Sequence, residues 1–361
     1  MDLGEIAWIG LTTIGGALLM TIFGLVFGLF YKGIDRKIAA HMQGRVGPPL
    51  KQPFLDVRKL FVKENIVPEN AVPWVFHLAP LVGLVASITI LLYIPIGGFP
   101  AILDGFIYGK GDLLLILYLL IIPSLAMVIG GFSSGSPYAT VGAQREMATM
   151  IAYEFPLAII IISLAWRLSL VTDISNVFSL ATVTSAPLWG VTGPIGFLGL
   201  IILLFTLLIV TPAELSKIPF DSPEAETEIA DGLMTEYSGR NLAMFYLTDG
   251  VKTVVMGSLI IALFFPYNLS PLLGITGYGA WAVDIVFYLI KLFLIILFSV
   301  TLLRVSLARL RIDQVVYTYW VPLTLLGLVG LICLMWDQTI MTQFDIPSTV
   351  ELRKIPFLTE S

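Results

Sequence analysis

Long apolar runs alternate along the chain with shorter polar connections, and the runs have the length of membrane helices rather than of core segments. A bilayer core takes roughly 20 apolar residues per helix. The hydropathy pattern predicts spans at 6–31, 74–95, 112–131, 148–167, 195–213, 243–266, 282–304 and 318–337. Glu154 and Pro156 interrupt the fourth, whose limits are the least sharply marked. The expected fold is an all-α integral membrane protein of about eight transmembrane helices with cytoplasmic amphipathic helices. Residues 1–361 form one polytopic membrane domain without an internal repeat, and 32–73, 132–147, 214–242 and 305–317 are its expected cytoplasmic loops.

Orientation follows from lysine and arginine. The connection after the first span holds Lys32, Arg36, Lys37, Arg45, Lys51, Arg58, Lys59 and Lys63, and later connections on the same side add Arg145, Lys217, Arg240, Arg304, Arg309 and Arg311. The opposite side carries Lys110, Arg167, Arg353 and Lys354. The first connection is therefore expected in the cytoplasm and both termini outside. The start, Met1-Asp2-Leu3-Gly4-Glu5, is acidic where a signal peptide needs positive charge, so the first run reads as a retained helix.

Composition agrees with lipid as the solvent. The 361 residues are 57% hydrophobic and 12% charged, against about 45–50% and about 25% in a soluble domain. The mean hydropathy is +0.94. The net charge of −5 comes without a basic tract, which excludes a nucleic-acid partner as the expectation. Cys333 is the single cysteine, and an iron–sulfur cluster takes about four thiolates. His77, near the start of a span, has no second axial candidate or haem-attachment motif to go with it; an interfacial histidine is the simpler reading. No metal site, catalytic residue or redox centre is expected on this chain.

Three charged segments carry the chemistry. The first runs from Asp35-Arg36-Lys37 through Gly44-Arg45-Val46-Gly47-Pro48-Pro49 to Gln52-Pro53, Asp56, Lys59-Leu60 and Lys63-Glu64. Apolar residues interleave with these charges, which suits an amphipathic helix at the interface. A plain lipid-facing helix explains the same pattern. The second segment is Arg145-Glu146, followed inside the fourth span by Tyr153-Glu154-Phe155-Pro156. An ionisable group at membrane depth costs about 2.5–3.5 kcal/mol on insertion scales and marks function by default. Against that stands a helix-end carboxylate in water, and for Arg145 and Glu146 ordinary interface charges.

The third segment holds seven acids between 214 and 236, Glu214, Asp221, Glu224, Glu226, Glu228, Asp231 and Glu236, against the single Lys217. Helical spacing would put Glu224 and Glu228 on one face, with Asp231 a turn further on. Crowded carboxylates raise one another's pKa, so protons are held and passed on near neutral pH. A solvated acidic loop is the plainer reading, and a metal site has no legible ligand geometry. Later spans add Asp249, Lys252, Asp284 and Lys291. Together they suggest a polar path through an apolar bundle.

In these motifs the chain resembles the H subunit of respiratory complex I and its homologues in energy-converting membrane-bound hydrogenases and related ferredoxin-dependent complexes. The resemblance covers nearly the whole chain. It rests on Asp35-Arg36-Lys37, Arg45-x-Gly47-Pro48, Gln52-Pro53-x-x-Asp56-x-x-Lys59-Leu60-x-x-Lys63-Glu64, and the spacing of Arg145 to Tyr153-Glu154. It continues with Ala213-Glu214, Pro219-Phe220-Asp221, the alternating Glu224, Glu226 and Glu228, Glu236-Tyr237, then Arg304, Arg309, Arg311, Asp313-Gln314 and Trp320. The family implies a membrane subunit that joins a redox arm to an ion-pumping arm in a prokaryotic cell membrane. It couples electron transfer to proton or sodium translocation. By the resemblance, Asp35, Arg36, Asp56, Arg145, Lys217, Asp221, Glu224 and Glu228, with Glu236, line a cavity facing the redox arm, and Glu154, Glu214 and Asp249 lead into the membrane. With Lys291, Glu224, Glu226 and Glu228 these make up the expected proton path.

The resemblance also implies hydrogenase-like large and small subunits, iron–sulfur subunits and antiporter-like membrane subunits as partners beside membrane lipid. Iron–sulfur clusters, and in the hydrogenase branch a nickel–iron centre, then sit on those partners. The chain departs from the complex I pattern at Asp35 and Asp249, where glutamate is usual, and at Lys217, where arginine is usual, which loses a bidentate fork. Only Pro49, Leu50 and Lys51 separate Gly47-Pro48 from Gln52-Pro53, a compact form that looks like the hydrogenase branch and leaves quinone binding open. The alternative is the quinone-binding membrane subunit of a donor:quinone oxidoreductase in the same family. A secondary transporter would show an internal repeat, and a passive anchor would leave Glu154, Glu214, Asp249 and Lys291 without a reason to bear their cost.

The charge asymmetry makes a topology prediction. A reporter fused after Ser361 is expected to be extracytoplasmic and one inserted near Lys51 cytoplasmic; both on one side would mean a helix count wrong by an odd number.

Overall fold

The structure is a computed structural model that describes residues 3–96, 111–170, 177–185, 187–190 and 192–343. Eight of its helices are long and apolar enough to cross a membrane. In chain order the principal helices are α1 (Leu3–Met42), the short α2 (Gln52–Val62), α3 (Pro73–Tyr93), α4 (Leu113–Ser133), α5 (Pro137–Ser169), α6 (Pro194–Glu214) and α7 (Gly239–Phe264). Next comes α8 (Tyr278–Ile296), which continues through a π-helical turn at Leu297–Thr301 to Leu302–Ser306. Last is α9, formed by Ile312–Thr318, a second π-helical turn at Tyr319–Leu323 and Thr324–Gln343. No strand occurs among the described residues, and the all-α membrane architecture is as the pattern predicts.

The helices extend further beyond the apolar spans than hydropathy indicates, so the expected loops shrink. Residues 137–147, expected in a loop, are the first turns of the continuous 33-residue α5, which Pro156 does not break. Likewise α1 runs to Met42, α7 starts at Gly239 and α9 at Ile312. The reason is that hydropathy ends a span at the first charge, whereas a helix continues wherever its charges meet partners. Asp35, Arg36 and Arg145, each in an ion pair, all lie in such extensions.

Helix α7 is the central element, buried almost throughout, and packs against α1, α3 and α8. Its contact with α1 is unusually close. A Cβ on Gly28 would lie 2.6 Å from the backbone of Gly250, so the two glycines let the helix backbones touch. α2 packs beside α1 and α7, with Pro53 and Val57 buried and Phe54, Leu55, Phe61 and Val62 exposed. The connection before it packs on α1, where a Cβ on Gly47 would meet Lys37 Cα at 2.9 Å.

On the opposite side, a buried ion pair ties three helices together. Arg167 near the end of α5, 1% exposed, lies with Nη2 at 2.9 Å from Oδ2 of Asp337 in α9. The same oxygen accepts the Gly193 amide at 2.9 Å, placing a negative charge at the N-terminus of α6. At its other end α6 contains Pro212, which has no N–H for the Leu208 carbonyl. That carbonyl accepts instead from Ser299 Oγ, 2.7 Å away in the π-helical turn of α8. The neighbouring Ile209 carbonyl accepts from Tyr319 in the π-helical turn of α9 at 2.9 Å.

Removing one member of a buried pair leaves an uncompensated charge, at a cost of about 3–5 kcal/mol. Asp337→Ala is therefore expected to lower the thermal midpoint and yield of the purified protein sharply. Arg167→Met combined with Asp337→Leu is expected to recover much of that loss in the same melting experiment.

Candidate functional site

The Gly28–Gly250 crossing sets the site. One turn beyond Gly28 on α1 stands Lys32, and next to Gly250 on α7 stands Asp249, so the crossing brings Lys32 Nζ to 2.6 Å from Asp249 Oδ2. Lys217, just past the end of α6, places its own Nζ 2.7 Å from that oxygen. One carboxylate thus bridges two ammonium groups. Lys32 also lies over the Tyr246 ring, 3.2 Å from its centroid, in a cation–π contact.

These groups border a cavity of about 450 Å³. Lys32, Arg36, Lys217, Arg304 and Arg309 line it with Asp35, Asp221, Glu224, Glu226 and Asp231, five cations against five acids. Ile218 and Met234 are the apolar side chains of that lining. Most of its charges are paired: Asp35 with Arg304 at 2.8 Å and with the Thr301 hydroxyl at 2.7 Å, and Asp221 with Arg309 at 2.6 Å. Beside it, Arg36 meets Asp56 of α2 at 3.2 Å, while Gln52 holds the other Asp56 oxygen at 2.9 Å. Arg145 bonds Glu228 at 2.6 Å and the Ser222 carbonyl at 3.2 Å, fastening the acidic segment to α5.

The acidic segment is not the continuous helix that its spacing suggests. Ser222–Glu224 is a 3-10 turn, Ala225 is extended, Glu226–Ile229 is a single turn, and Ala230 and Asp231 take left-handed conformations with φ of 50° and 68°. Prolines at 219 and 223 and the buried anchors Phe220 and Ile229 hold it against the bundle instead. As a result the acids part company. Glu228 turns to Arg145, the exposed Glu226 borders the cavity, and Glu224 turns in toward Lys217, Asp249 and Lys32. Burial, reinforced by Asp249 and Asp221 against the pull of Lys217 and Lys32, raises the Glu224 pKa to about 7. For Lys217 burial opposes the charge, but Asp249 and Glu224 outweigh it and hold the ammonium pKa above its ordinary value.

Beneath the cavity lies a second cluster at membrane depth. Lys252, one turn along α7 from Asp249, is 2% exposed. Its Nζ lies 2.8 Å from Glu214 Oε1 and donates to the Glu214 carbonyl at 2.7 Å and to Ser124 Oγ at 2.8 Å. Ser124 in turn contacts the Tyr153 hydroxyl at 3.2 Å. Glu146, 1% exposed, and the half-buried Glu154 complete the cluster from α5, each with an Oε1 sealed from solvent. Glu154 and Glu146 are both within electrostatic range of Glu214. The two clusters share helix α7 and the 214–217 turn, so charge in the cavity is felt at membrane depth.

The structure brings together Asp35, Arg36, Lys217, Asp221, Glu224 and Glu226 around the cavity, with Asp56 and Arg145 at its margin and Asp249 at its floor. Glu154 and Glu214 share the deeper cluster. Two candidates lie apart. Lys291 donates to the carbonyls of Phe265 and Tyr267 beyond the end of α7, at 2.9 and 2.8 Å. Glu236, half-buried, has no ion pair among the described residues. Sequence reasoning passed over Lys32 as a loop charge and Glu146 as an interface charge, and it left Lys252 without a partner. The signal was present for Lys252, a lysine set between Val251 and the apolar run at 254–256. For Asp337, near the end of the last span, no sequence signal named a partner.

The fold and the site define a polytopic membrane protein in which paired ionisable groups lead from a charged cavity into the helix bundle. The chain belongs to the NADH dehydrogenase family, whose model matches residues 15–335. Similar proteins include the H subunit of the NADH-quinone oxidoreductase of Syntrophotalea carbinolica, 31% identical over 319 residues, which are 82% of this chain and 87% of that protein. Hydrogenase-4 component C of Escherichia coli is 35% identical over 259 residues, 70% of this chain and 75% of that one. Among solved structures, a chain of the membrane-bound sulfane sulfur reductase, an archaeal respiratory membrane complex, matches with a TM-score of 0.75 at 28% identity. The match covers 89% of this chain and 99% of that chain. The resemblance read from the motifs is borne out, and the chain is a membrane subunit of an oxidoreductase complex of the complex I type.

The inward turn of Glu224 has a measurable sign. An unfolded glutamate titrates near 4.5 and Glu224 in the fold near 7, so the folded state holds the proton more tightly. Its contribution to stability is complete below about pH 4.5 and is lost as the pH rises through about 7. Between those limits the melting temperature is expected to fall more in the native protein than in Glu224→Gln, as read by parallel thermal melts.

Proposed function

We propose that this chain joins the redox arm to the ion-translocating arm of a complex I-like respiratory complex of the hydrogenase-like, ferredoxin-dependent branch. It works as an electrostatic transmitter. The observation that carries this reading is the run of compensated charges from the cavity, through Lys217–Asp249–Lys32, to the buried Glu214–Lys252 pair. The cavity faces hydrogenase-like and iron–sulfur subunits, which bear the metal centres. Antiporter-like subunits lie beside it in the membrane, and both termini are extracytoplasmic. A change of charge on the redox partner reaches the cavity first. There it shifts the balance among Lys217, Asp249 and Glu224, and that shift alters the field at Glu214, one turn away.

Some relatives are named for quinone, so the lining bears on whether a quinone fits. Ten of the thirteen lining residues are charged, and Ile218 and Met234 are the apolar side chains among them. A quinone head with its isoprenoid tail calls for a mostly apolar pocket with a few placed polar groups. This lining does not fit one, and no step of the coupling passes through a quinone.

Two tests follow. Glu154→Gln and Glu214→Gln remove a titratable proton while nearly keeping shape. Both are expected to assemble, and ion-gradient formation in vesicles is expected to fall about tenfold or more; a full gradient in both variants would sink the relay role. The purified complex is expected to keep its redox activity after quinone extraction and to resist quinone-site inhibitors. Activity that vanishes on extraction and returns with added quinone would place the chain on the quinone-reducing branch.

A further inference from the structure

Glu146 is no part of the expected relay, yet it is more deeply buried than Asp35, Asp221 or Glu214. Its two oxygens differ. Oε2 accepts from the Ser216 hydroxyl at 3.4 Å, Oε1 is sealed from solvent, and the Ser124 hydroxyl that also meets Lys252 is a second hydrogen-bonding group for the carboxyl. It forms no ion pair among the described residues. The titratable groups acting on it come from three sides: Glu224 from the acidic segment, Glu214 from the end of α6 and Lys252 from α7. Tyr153, two turns along its own helix, faces it as well. Ser216 reaches it from a left-handed conformation, φ 48°, just after the Glu214 turn. Glu146 thus has an electrostatic line both to Glu224 in the cavity and to the Glu214–Lys252 pair at membrane depth.

Charge balance requires this cluster to hold protons. Lys252 is the cation acting on both Glu146 and Glu214, and its ammonium is already saturated by Glu214 and Ser124. One ammonium compensates one carboxylate; a second carboxylate in the same dry volume is stable only with a proton on it. A carboxyl 1% exposed and without an ion pair among the described residues is what a proton-holding acid presents.

We propose that Glu146 is the proton-loading residue that links the cavity acid Glu224 to the Glu214–Lys252 pair. In the first step the O–H bond of the protonated Glu146 breaks and an O–H bond forms on the Glu214 carboxylate, and Lys252 compensates the new Glu146 carboxylate while keeping its bonds to Ser124 and the Glu214 carbonyl. In the second the O–H bond of Glu224 breaks and an O–H bond forms on Glu146, which reloads it and leaves a Glu224 carboxylate facing Lys217. No electrons move in either step. This inference rests on the coupling role proposed above and adds the residue through which protons enter it.

The test uses the intact complex in sealed vesicles, with three variants and two readouts: pH-gradient formation per electron transferred, and the carboxylic C=O stretch in the infrared difference spectrum of reduced minus oxidised complex. Glu146→Gln is expected to keep redox turnover, to lose at least about tenfold in gradient per electron, and to lack one protonated-carboxyl band. Glu146→Asp is expected to restore part of the gradient with that band displaced. An unchanged gradient and an unchanged spectrum in Glu146→Gln, with the gradient abolished in Glu214→Gln, would overturn the role of Glu146 and leave the coupling role standing. A full gradient in Glu214→Gln as well would overturn both. If Glu146→Gln does not assemble, the band in Glu146→Asp decides: displaced supports the assignment, unmoved refutes it.

Discussion

Three oxygens around one nitrogen organise the interior of this bundle. Lys252 Nζ is held by the Glu214 carboxylate, the Glu214 carbonyl and Ser124, so one ammonium fixes α4, the end of α6 and α7 at a single point. Dry surroundings leave it no cheaper arrangement, because a charge without water needs a partner for each of its donors. Everything else at that depth is placed relative to it. Tyr153 abuts Ser124, Glu146 and Glu154 take the remaining space, and Asp249 stands one turn nearer the cavity on the same helix. The cavity above is organised by the same rule, with Asp249 shared between two lysines in place of a lysine shared among oxygens.

Holding acids in such a place needs an irregular backbone. Ser216, Ala230 and Asp231 sit in the left-handed region, where a non-glycine residue costs about 1–3 kcal/mol. The contacts that hold them there are the Arg309–Asp221 and Arg145–Glu228 ion pairs and the buried Phe220 and Ile229. The anchors are thus partly ionic and partly apolar, and both kinds are needed to hold three left-handed residues within one short segment.

Much of this was readable in the sequence, and the rest was unreadable for identifiable reasons. Span number and fold class follow from run length alone, and the motifs carry the family. Asp35, Lys217, Asp221 and Glu224 stand out because charges clustered beside an apolar run are costly wherever they lie. What the sequence lacks is direction. Glu224 and Glu228 are four residues apart in a plausible helix, and only the extended Ala225 shows that they point to different partners. Lys32 reads as one more positive-inside charge because its placement depends on Gly28 meeting Gly250, more than two hundred residues away. Arg167 and Asp337 are 170 residues apart, and nothing in either local pattern names the other.

The two ends of α6 are held in opposite ways. Its outer end is clamped by the Asp337 carboxylate and the Arg167 guanidinium. Its inner end is interrupted by Pro212, with the orphaned Leu208 carbonyl resting on a hydroxyl from α8. Mechanically this is a rod fixed at one end and jointed near the other. The same π-helical turn that supplies Ser299 to the joint also supplies Thr301 to Asp35 at the cavity wall, so the joint and the cavity share one support. The turn bearing Glu214 therefore takes its position from Lys252 and from that shared support, and not from the clamped length of α6.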